Sequence, residues 1–306
     1  MSLSEFLDTT PNTTINKEPG LMIIDFSQVV ISSFCATFNV NEITSAEDVR
    51  KLTLNIIKNL TKKWKNKYPT VVIAVDSRNY WRRDIAPYYK GNRKEGREKS
   101  KIDFETIYKG MDLTLSGFEE AFPYIIMNIL RCEADDVAGV LVKNFYNKYE
   151  NIMLISSDSD WTQLQKYKNV KQWSSIQGGY VHPKHGGAAG TLMYKIIKGD
   201  KKDGIANILS LPDSVITKTR QKAISEAKLT KWIQKKTPEE FCDPNMLERF
   251  KHNKQLLDLF NIPEKYETAI MQAFLGKKDN SKSRSKIYSY LVKNRLMSLT
   301  KDIQDF

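Results

Sequence analysis

Cysteine and histidine are scarce, three of each in 306 residues. Cys35, Cys132 and Cys242 are odd in number and far apart, which excludes a disulfide framework and a cysteine zinc cluster and points to free thiols in a reducing compartment. The pair His182 and His185 has no cysteines beside it, and Pro183 breaks the helical face that a zinc site would need, so a turn is expected there. Ser27 and Ser157 have no neighbouring His, which removes a hydrolase triad. The glycine-rich run 186–190 lacks the Lys-Ser/Thr of a phosphate-cradling loop. No apolar run approaches the roughly 20 residues that span a bilayer, and residues 1–20 are polar, so a soluble, unexported chain without membrane contact is expected. Acids are outnumbered, 36 Asp and Glu against 48 Lys and Arg, and the net charge of +12 implies a polyanionic partner, of which nucleic acid is the usual one. The bland alternative is a basic surface that only keeps the protein soluble.

Against that basic background, the placement of the acids stands out. Asp25 follows LMII, Asp76 follows TVVIAV, Glu133, Asp135 and Asp136 lie in RCEADD, Asp158 and Asp160 in LISSDSD, and Asp200 and Asp203 in KGDKKDG. Brought together in a partly dry cleft, these carboxylates would repel one another and raise their pKa values unless a multivalent cation were bound. Hard oxygen ligands without His or Cys suit Mg²⁺, with Mn²⁺ able to substitute. A metal centre inside a positive surface reads as phosphodiester chemistry.

Apolar runs of strand length alternate with amphipathic stretches, the pattern of an α/β sheet with helical crossovers. Strands are expected at LMIIDFS, TVVIAVDS, PYIIMN and NIMLISSD, and helices at 48–67, 113–121, 135–149 and 186–198. NVKQWSS and GYVHP flank Gln177-Gly178-Gly179 and read as an edge hairpin. Beyond Asp200 the strand signals fade and a helical remainder is expected. Open parallel sheets place their sites beyond the carboxyl ends of strands, so Asp25, Asp76 and Asp158 should converge on one edge. Glu133, Asp135 and Asp136 open a helix, where capping alone could account for them. Trp64, Trp161 and Trp232 fit core positions.

Residues 78–101 are rich in cations, Arg78, Arg82, Arg83, Lys90, Arg93, Lys94, Arg97, Lys99 and Lys101, with Tyr80, Trp81, Tyr88 and Tyr89 interleaved. Cations for phosphates plus rings for stacking is the composition of a single-strand binding surface, and the stretch begins beside Asp76. A solvated charged loop is the alternative for 91–101. The segment 276–286 carries five basic residues and one acid and reads as a linker or a second phosphate contact.

The set Asp25, Asp76 with YWRRDIAPYYKGNR downstream, EADD, SSDSD and GDKKD resembles the 5′-nuclease superfamily and, within it, the ribonucleases H of T-even-type phages. The likeness runs from about residue 21 to 306. It implies a PIN-like, mostly parallel α/β core with flanking helices (21–185, after an N-terminal extension 1–20), a helical arch over the site (78–110), and a helical C-terminal portion with a helix-three-turn-helix-like module gripping duplex (186–306). By position, Asp25, Asp76, Asp135 and Asp158 match ligands of a first metal ion, and Asp160 and Asp203 those of a second. Glu133 and Asp200 match contacts to metal water, and Asp136 adjoins them as a further candidate for catalysis. Arg82 and Lys90 match residues that polarise the scissile phosphate, and Tyr89 one that stacks near the 5′ end. Arg83, Arg93, Lys94, Arg97, Lys201 and Lys202 are candidate nucleic-acid contacts. Gly204 stands where many relatives have Asn before a glycine-rich turn, which argues against a monovalent ion there.

The resemblance implies a monomeric, two-metal 5′-to-3′ nuclease acting on RNA–DNA hybrids, 5′ flaps and nicked or gapped duplex during phage replication, in the cytoplasm of the infected host. It also suggests a single-strand DNA-binding protein as partner, docked on an amphipathic helix pair at 287–306. A PIN-type endoribonuclease is the alternative within enzymes; a catalytically silent, structure-specific DNA-binding module is the alternative outside them.

Overall fold

The computed structural model describes residues 17–37, 45–100, 102–277 and 282–306, without the side chain of Lys94. Most of the expected N-terminal extension, part of the basic segment 276–286, Lys101 and the Lys94 side chain therefore lie outside the described residues. Strand β1 (Glu18–Asp25) runs directly into helix α1 (Phe26–Thr37), and α2 (Ala46–Trp64) leads to β2 (Thr70–Val75). Two short helices, α3 (Arg82–Ile85) and α4 (Asn92–Glu98), precede α5 (Phe104–Ala121), β3 (Ile125–Asn128), α6 (Ala134–Phe145) and β4 (Tyr149–Ile155). A 3-10 segment, Ser159–Lys166, joins β4 to β5 (Val170–Ser174), which turns back as β6 (Gly179–Val181). The sheet order is β3-β2-β1-β4-β5-β6. Neighbours pair in parallel except for the β5–β6 hairpin at the edge.

The central strands read as unbroken apolar runs because both faces of the sheet are covered. Met22, Ile24, Val71, Ile73 and Met153 face a core shared with α1, α2 and α5, while Leu21, Ile23, Val72, Ala74 and Leu154 face the other side under α6. Helix α7 (Ala188–Lys198) leads through a 3-10 turn at Lys201–Asp203 and an irregular stretch to α8 (Glu226–Ile233), α9 (Pro244–Leu257), α10 (Glu264–Lys277) and α11 (Arg284–Lys293). Ile196, Ile197, Ile205, Leu229, Trp232 and Phe250 form a third cluster that also takes in Ala86 and Tyr89, fastening the segment after β2 to the C-terminal region. Helix α6 approaches residue 259 so closely that a Cβ at Gly139 would lie 2.2 Å from the Leu259 carbonyl oxygen.

Three expectations change. β1 starts at Glu18, ahead of the expected Leu21. α5 starts nine residues before 113, capped by the Asp103 side chain accepting from the Thr106 N–H. Its first half is hidden in sequence by Gly110, which lets α2 approach: a Cβ there would lie 2.3 Å from Val49 Cβ. The stretch 287–306 is one helix and a 3-10 segment, Met297–Asp305, whose apolar residues Ile287, Tyr290, Leu291, Leu299 and Phe306 pack into the first core. That apolar face is therefore not a docking surface; Tyr288, Val292 and Met297 are the large hydrophobic side chains that this region exposes. Among the described residues no helix is long and apolar enough to cross a membrane.

Candidate active site

Asp25 closes β1, Asp76 follows β2 and Asp158 lies three residues past β4, so three adjacent strands deliver carboxylates to one edge. Asp135, in the first turn of α6, joins them, and all four line a cleft of about 960 Å³ whose wall also carries Arg83, Lys90, Arg93 and Arg97. Each carboxylate is aimed by a neutral donor. Ser156 Oγ donates to Asp25 at 2.9 Å, the Ala134 N–H to Asp76 at 2.9 Å, Trp161 Nε1 to Asp135 at 2.6 Å and the Asp160 N–H to Asp158 at 2.9 Å. Burial, together with the charges of Asp76, Asp135 and Asp158, pushes the Asp25 carboxyl well above its ordinary value. Burial, with Glu133, Asp158 and Asp76 reinforcing it against Lys90, lifts Asp135 to about 7.

The remaining acids are compensated by cations. Glu133 is fully buried; its oxygens receive Lys90 Nζ, Arg82 at 2.9 Å and the Tyr89 hydroxyl at 3.1 Å. Burial acts to raise the Glu133 carboxyl, but Lys90 and Arg82 outweigh it and hold it low. Burial likewise acts to raise the Asp203 carboxyl, but Lys90 and Arg93 outweigh it and hold it below its ordinary value; its oxygens meet Arg93 at 2.7 Å and Lys90 at 3.7 Å. Asp160 and Asp200 share Lys195, with 3.4 Å to Asp200. Lys90 has φ of +56° and its N–H donates to the Asp203 carbonyl at 2.8 Å, a strained backbone held by the loop that carries Asp203.

Several assigned roles do not match these positions. Arg82 is 1 % exposed, pairs with Glu133 and Asp136 and donates to the Leu256 carbonyl, so it stands beneath the cleft and not beside a phosphate. Asp136, fully buried, closes the α6 capping box by accepting from the Glu133 N–H and takes Trp81 Nε1 at 3.0 Å; it is structural rather than catalytic. Glu133 lies under the cleft floor, engaged by Lys90. Tyr89 is 2 % exposed, so its ring cannot stack on a base. Trp81 is buried against Tyr266, and Tyr88 bonds His252 at 2.7 Å. The expected row of stacking rings is thus mostly packing. Lys201 and Lys202 are exposed on the turn before Asp203.

Sequence reasoning missed Lys195, Ser156 and the bond from Trp161. A lysine in a basic chain gives no sign that it turns inward; the one available hint was its place in the last turn of an amphipathic helix, five residues ahead of Asp200. Among the described residues no three His, Cys, Asp or Glu side chains are already gathered tightly enough to hold a metal ion. Asp25, Asp76, Asp135 and Asp158 nevertheless fit one in their chemistry: they are all oxygen donors, they face a common cleft, and they repel one another there.

Residues 20–186 match the family model for the 5′-3′ exonuclease N-terminal resolvase-like domain, and residues 186–306 that for the T4 RNase H C-terminal domain. The chain is 38% identical to the ribonuclease H of Enterobacteria phage T4 over 297 residues, 94% of this chain and 96% of that protein. Among solved structures it is similar to the flap endonuclease of bacteriophage T5 in a complex with DNA and metal ions, with a TM-score of 0.61 at 18% identity over 84% of this chain and 98% of the other. It is similar also to the zinc-bound T5 5′-exonuclease, with a TM-score of 0.56 at 19% identity over 94% and 98%. The order and spacing of the strand-end acids, the parallel sheet that gathers them and these matches together place the chain in the 5′-3′ exonuclease family, with a C-terminal domain of the T4 ribonuclease H type.

Proposed function

We propose that this protein is a divalent-metal-dependent 5′-to-3′ nuclease that hydrolyses RNA primers in RNA–DNA hybrids and the 5′ ends or flaps of DNA during phage replication. The observation that carries this reading is the quartet Asp25, Asp76, Asp135 and Asp158, mutually repelling in one cleft with basic walls. Asp25, Asp76, Asp135 and Asp158 would hold a first Mg²⁺, and Asp160, Asp200 and Asp203 a second, with Mn²⁺ able to substitute. When bound, such ions supply Lewis acidity, an acidified water and charge relief on the phosphoryl oxygens.

The chain's own residues do the rest. Lys90 lines the cleft with its ammonium held by Glu133 and Asp203; turned from them toward a scissile phosphate it would meet the charge that gathers there, and such a contact strengthens toward the transition state. Arg82 positions Lys90 by way of Glu133. Arg83, Arg93 and Arg97 on the cleft wall attract the entering strand, and the exposed Lys201 and Lys202 suit duplex phosphates. Residues 21–185 would form the catalytic part, with 78–110 over the cleft, and 186–306 the duplex-gripping part, working as a monomer in the host cytoplasm. Docking of a single-strand DNA-binding protein would fall to the outward side of the C-terminal region. Incubation of a 5′-labelled flap and an RNA–DNA hybrid, each with Mg²⁺ and with chelator, tests the proposal: short 5′ products that appear only with metal support it, and no cleavage of either substrate in Mg²⁺ overturns it.

A further inference from the structure

The two halves of the acid cluster are neutralised differently. The acids that would take the first ion receive hydrogen bonds from neutral groups, a serine hydroxyl, an indole and backbone amides. Lys90, the cation nearest to Asp135, is engaged by Glu133 and Asp203. On the other side a lysine already stands between the carboxylates. Lys195 pairs with Asp160 and, at 3.4 Å, with Asp200, and its side chain is only 14% exposed. It comes from the last turn of α7, whose Ile196 and Ile197 are buried and whose end is closed by the Gly199 N–H donating to the Lys195 carbonyl. The helix is thus fixed, and the ammonium is carried on a four-carbon stem of rotatable bonds, so it can leave the carboxylates without the helix moving.

We infer that Lys195 is the resident counter-cation of the Asp160–Asp200 half of the second ion site, Asp203 being held by Arg93 and Lys90, and that a divalent ion enters there by exchange, displacing the ammonium from Asp160 and Asp200. The inference rests on the metal-dependent reading above. Taking an ammonium out of water is costly unless carboxylates receive it, and two carboxylates alone in that position would repel one another, so pairing suits both partners until a divalent charge competes for the same oxygens. Lys90 lines the first site and acts on Asp135, but its ammonium is paired with Glu133 and Asp203 and with none of the four first-site carboxylates, so only the second ion has a paired ammonium to displace and its site is the weaker.

Mn²⁺ binding to the full chain without nucleic acid, read by calorimetry and by electron paramagnetic resonance of free Mn²⁺, tests this on wild type, Lys195→Met and Lys195→Arg. The expected result is two ions on wild type, with Lys195→Met binding the second at about tenfold lower concentration or less and the first unchanged, and Lys195→Arg keeping the weaker second site. A second midpoint that is unmoved or weakened in a folded Lys195→Met overturns the inference. On wild type, acetylation of Lys195 measured by mass spectrometry should rise as Mg²⁺ fills the second site; labelling that stays flat through a titration filling both sites overturns it as well. Absence of any bound Mn²⁺ on wild type would instead overturn the metal-dependent reading on which it stands.

Discussion

Asparagine at position 135 should stabilise the metal-free protein at pH 8, although it removes a residue placed at the reacting centre. The Asp135 carboxyl is lifted from 3.8 to about 7 by burial and by the charges of Glu133, Asp158 and Asp76. The folded state thus holds a proton that the unfolded chain releases near pH 4. Stability from this group is present below that pH and is lost as pH rises through about 7. At about 1.4 kcal/mol per tenfold the gap has a ceiling of about 4 kcal/mol. Water in the cleft and relaxation of the neighbouring acids reduce this to roughly 1–2 kcal/mol. Asparagine keeps an oxygen to accept from Trp161 Nε1 and loses a helix-terminus interaction of about 0.3–1 kcal/mol. A net gain of about 1 kcal/mol corresponds to roughly 2 °C or slightly more in a chain of this size. Thermal melts of wild type and Asp135→Asn in chelator at pH 5 and pH 8, then with Mg²⁺ at pH 8, make the test. The mutant should melt higher in chelator at pH 8, with a narrower gap at pH 5. The order should reverse with Mg²⁺, because wild type gains the linkage stabilisation of bound metal. A mutant that melts at or below wild type in chelator at pH 8 would refute the electrostatic reasoning.

Lys90→Ala should lower kcat by roughly 10²-fold or more with a smaller change in affinity, read by single-turnover cleavage at saturating enzyme; a change in affinity alone would make Lys90 a tether. Arg82→Met, which leaves Glu133 and Asp136 buried without their guanidinium, should cost about 3–5 kcal/mol in urea unfolding, whereas a residue that touched phosphate would lose turnover at unchanged stability. Neutralising Lys201 and Lys202 together should weaken duplex binding and flatten its log–log salt dependence by up to about one unit per lost phosphate contact, measured by anisotropy across a salt series.

The sheet and its acid edge were legible because two local signals coincide. Runs such as LMII and TVVIAV are long enough to be buried on both faces, and an Asp directly after such a run has no packing reason to be there. The edge hairpin was legible from Gln177-Gly178-Gly179 between two polar-apolar stretches. The segment after β2 was misread because composition does not give direction: the same arginines and tyrosines compose a nucleic-acid surface or a buried ionic network. Arg82, Trp81 and Tyr89 turn inward because Glu133 and Asp136 at the start of α6 need partners in a dry interior. Lys195 and the inward face of 287–306 depend on contacts between elements distant in sequence, which no local pattern encodes.

Asp158→Asn tests the two-ion centre most directly. Asp158 follows β4 on the cleft wall beside Asp25, Asp76 and Asp135, and the amide keeps the shape while removing a charged ligand. Single-turnover cleavage of a 5′ flap in Mg²⁺ and, in parallel, binding of the same flap in chelator should separate: cleavage abolished, binding unchanged or tighter because a negative charge beside the phosphates is gone. Turnover equal to wild type would contradict the assignment of the strand-end acids as the metal centre.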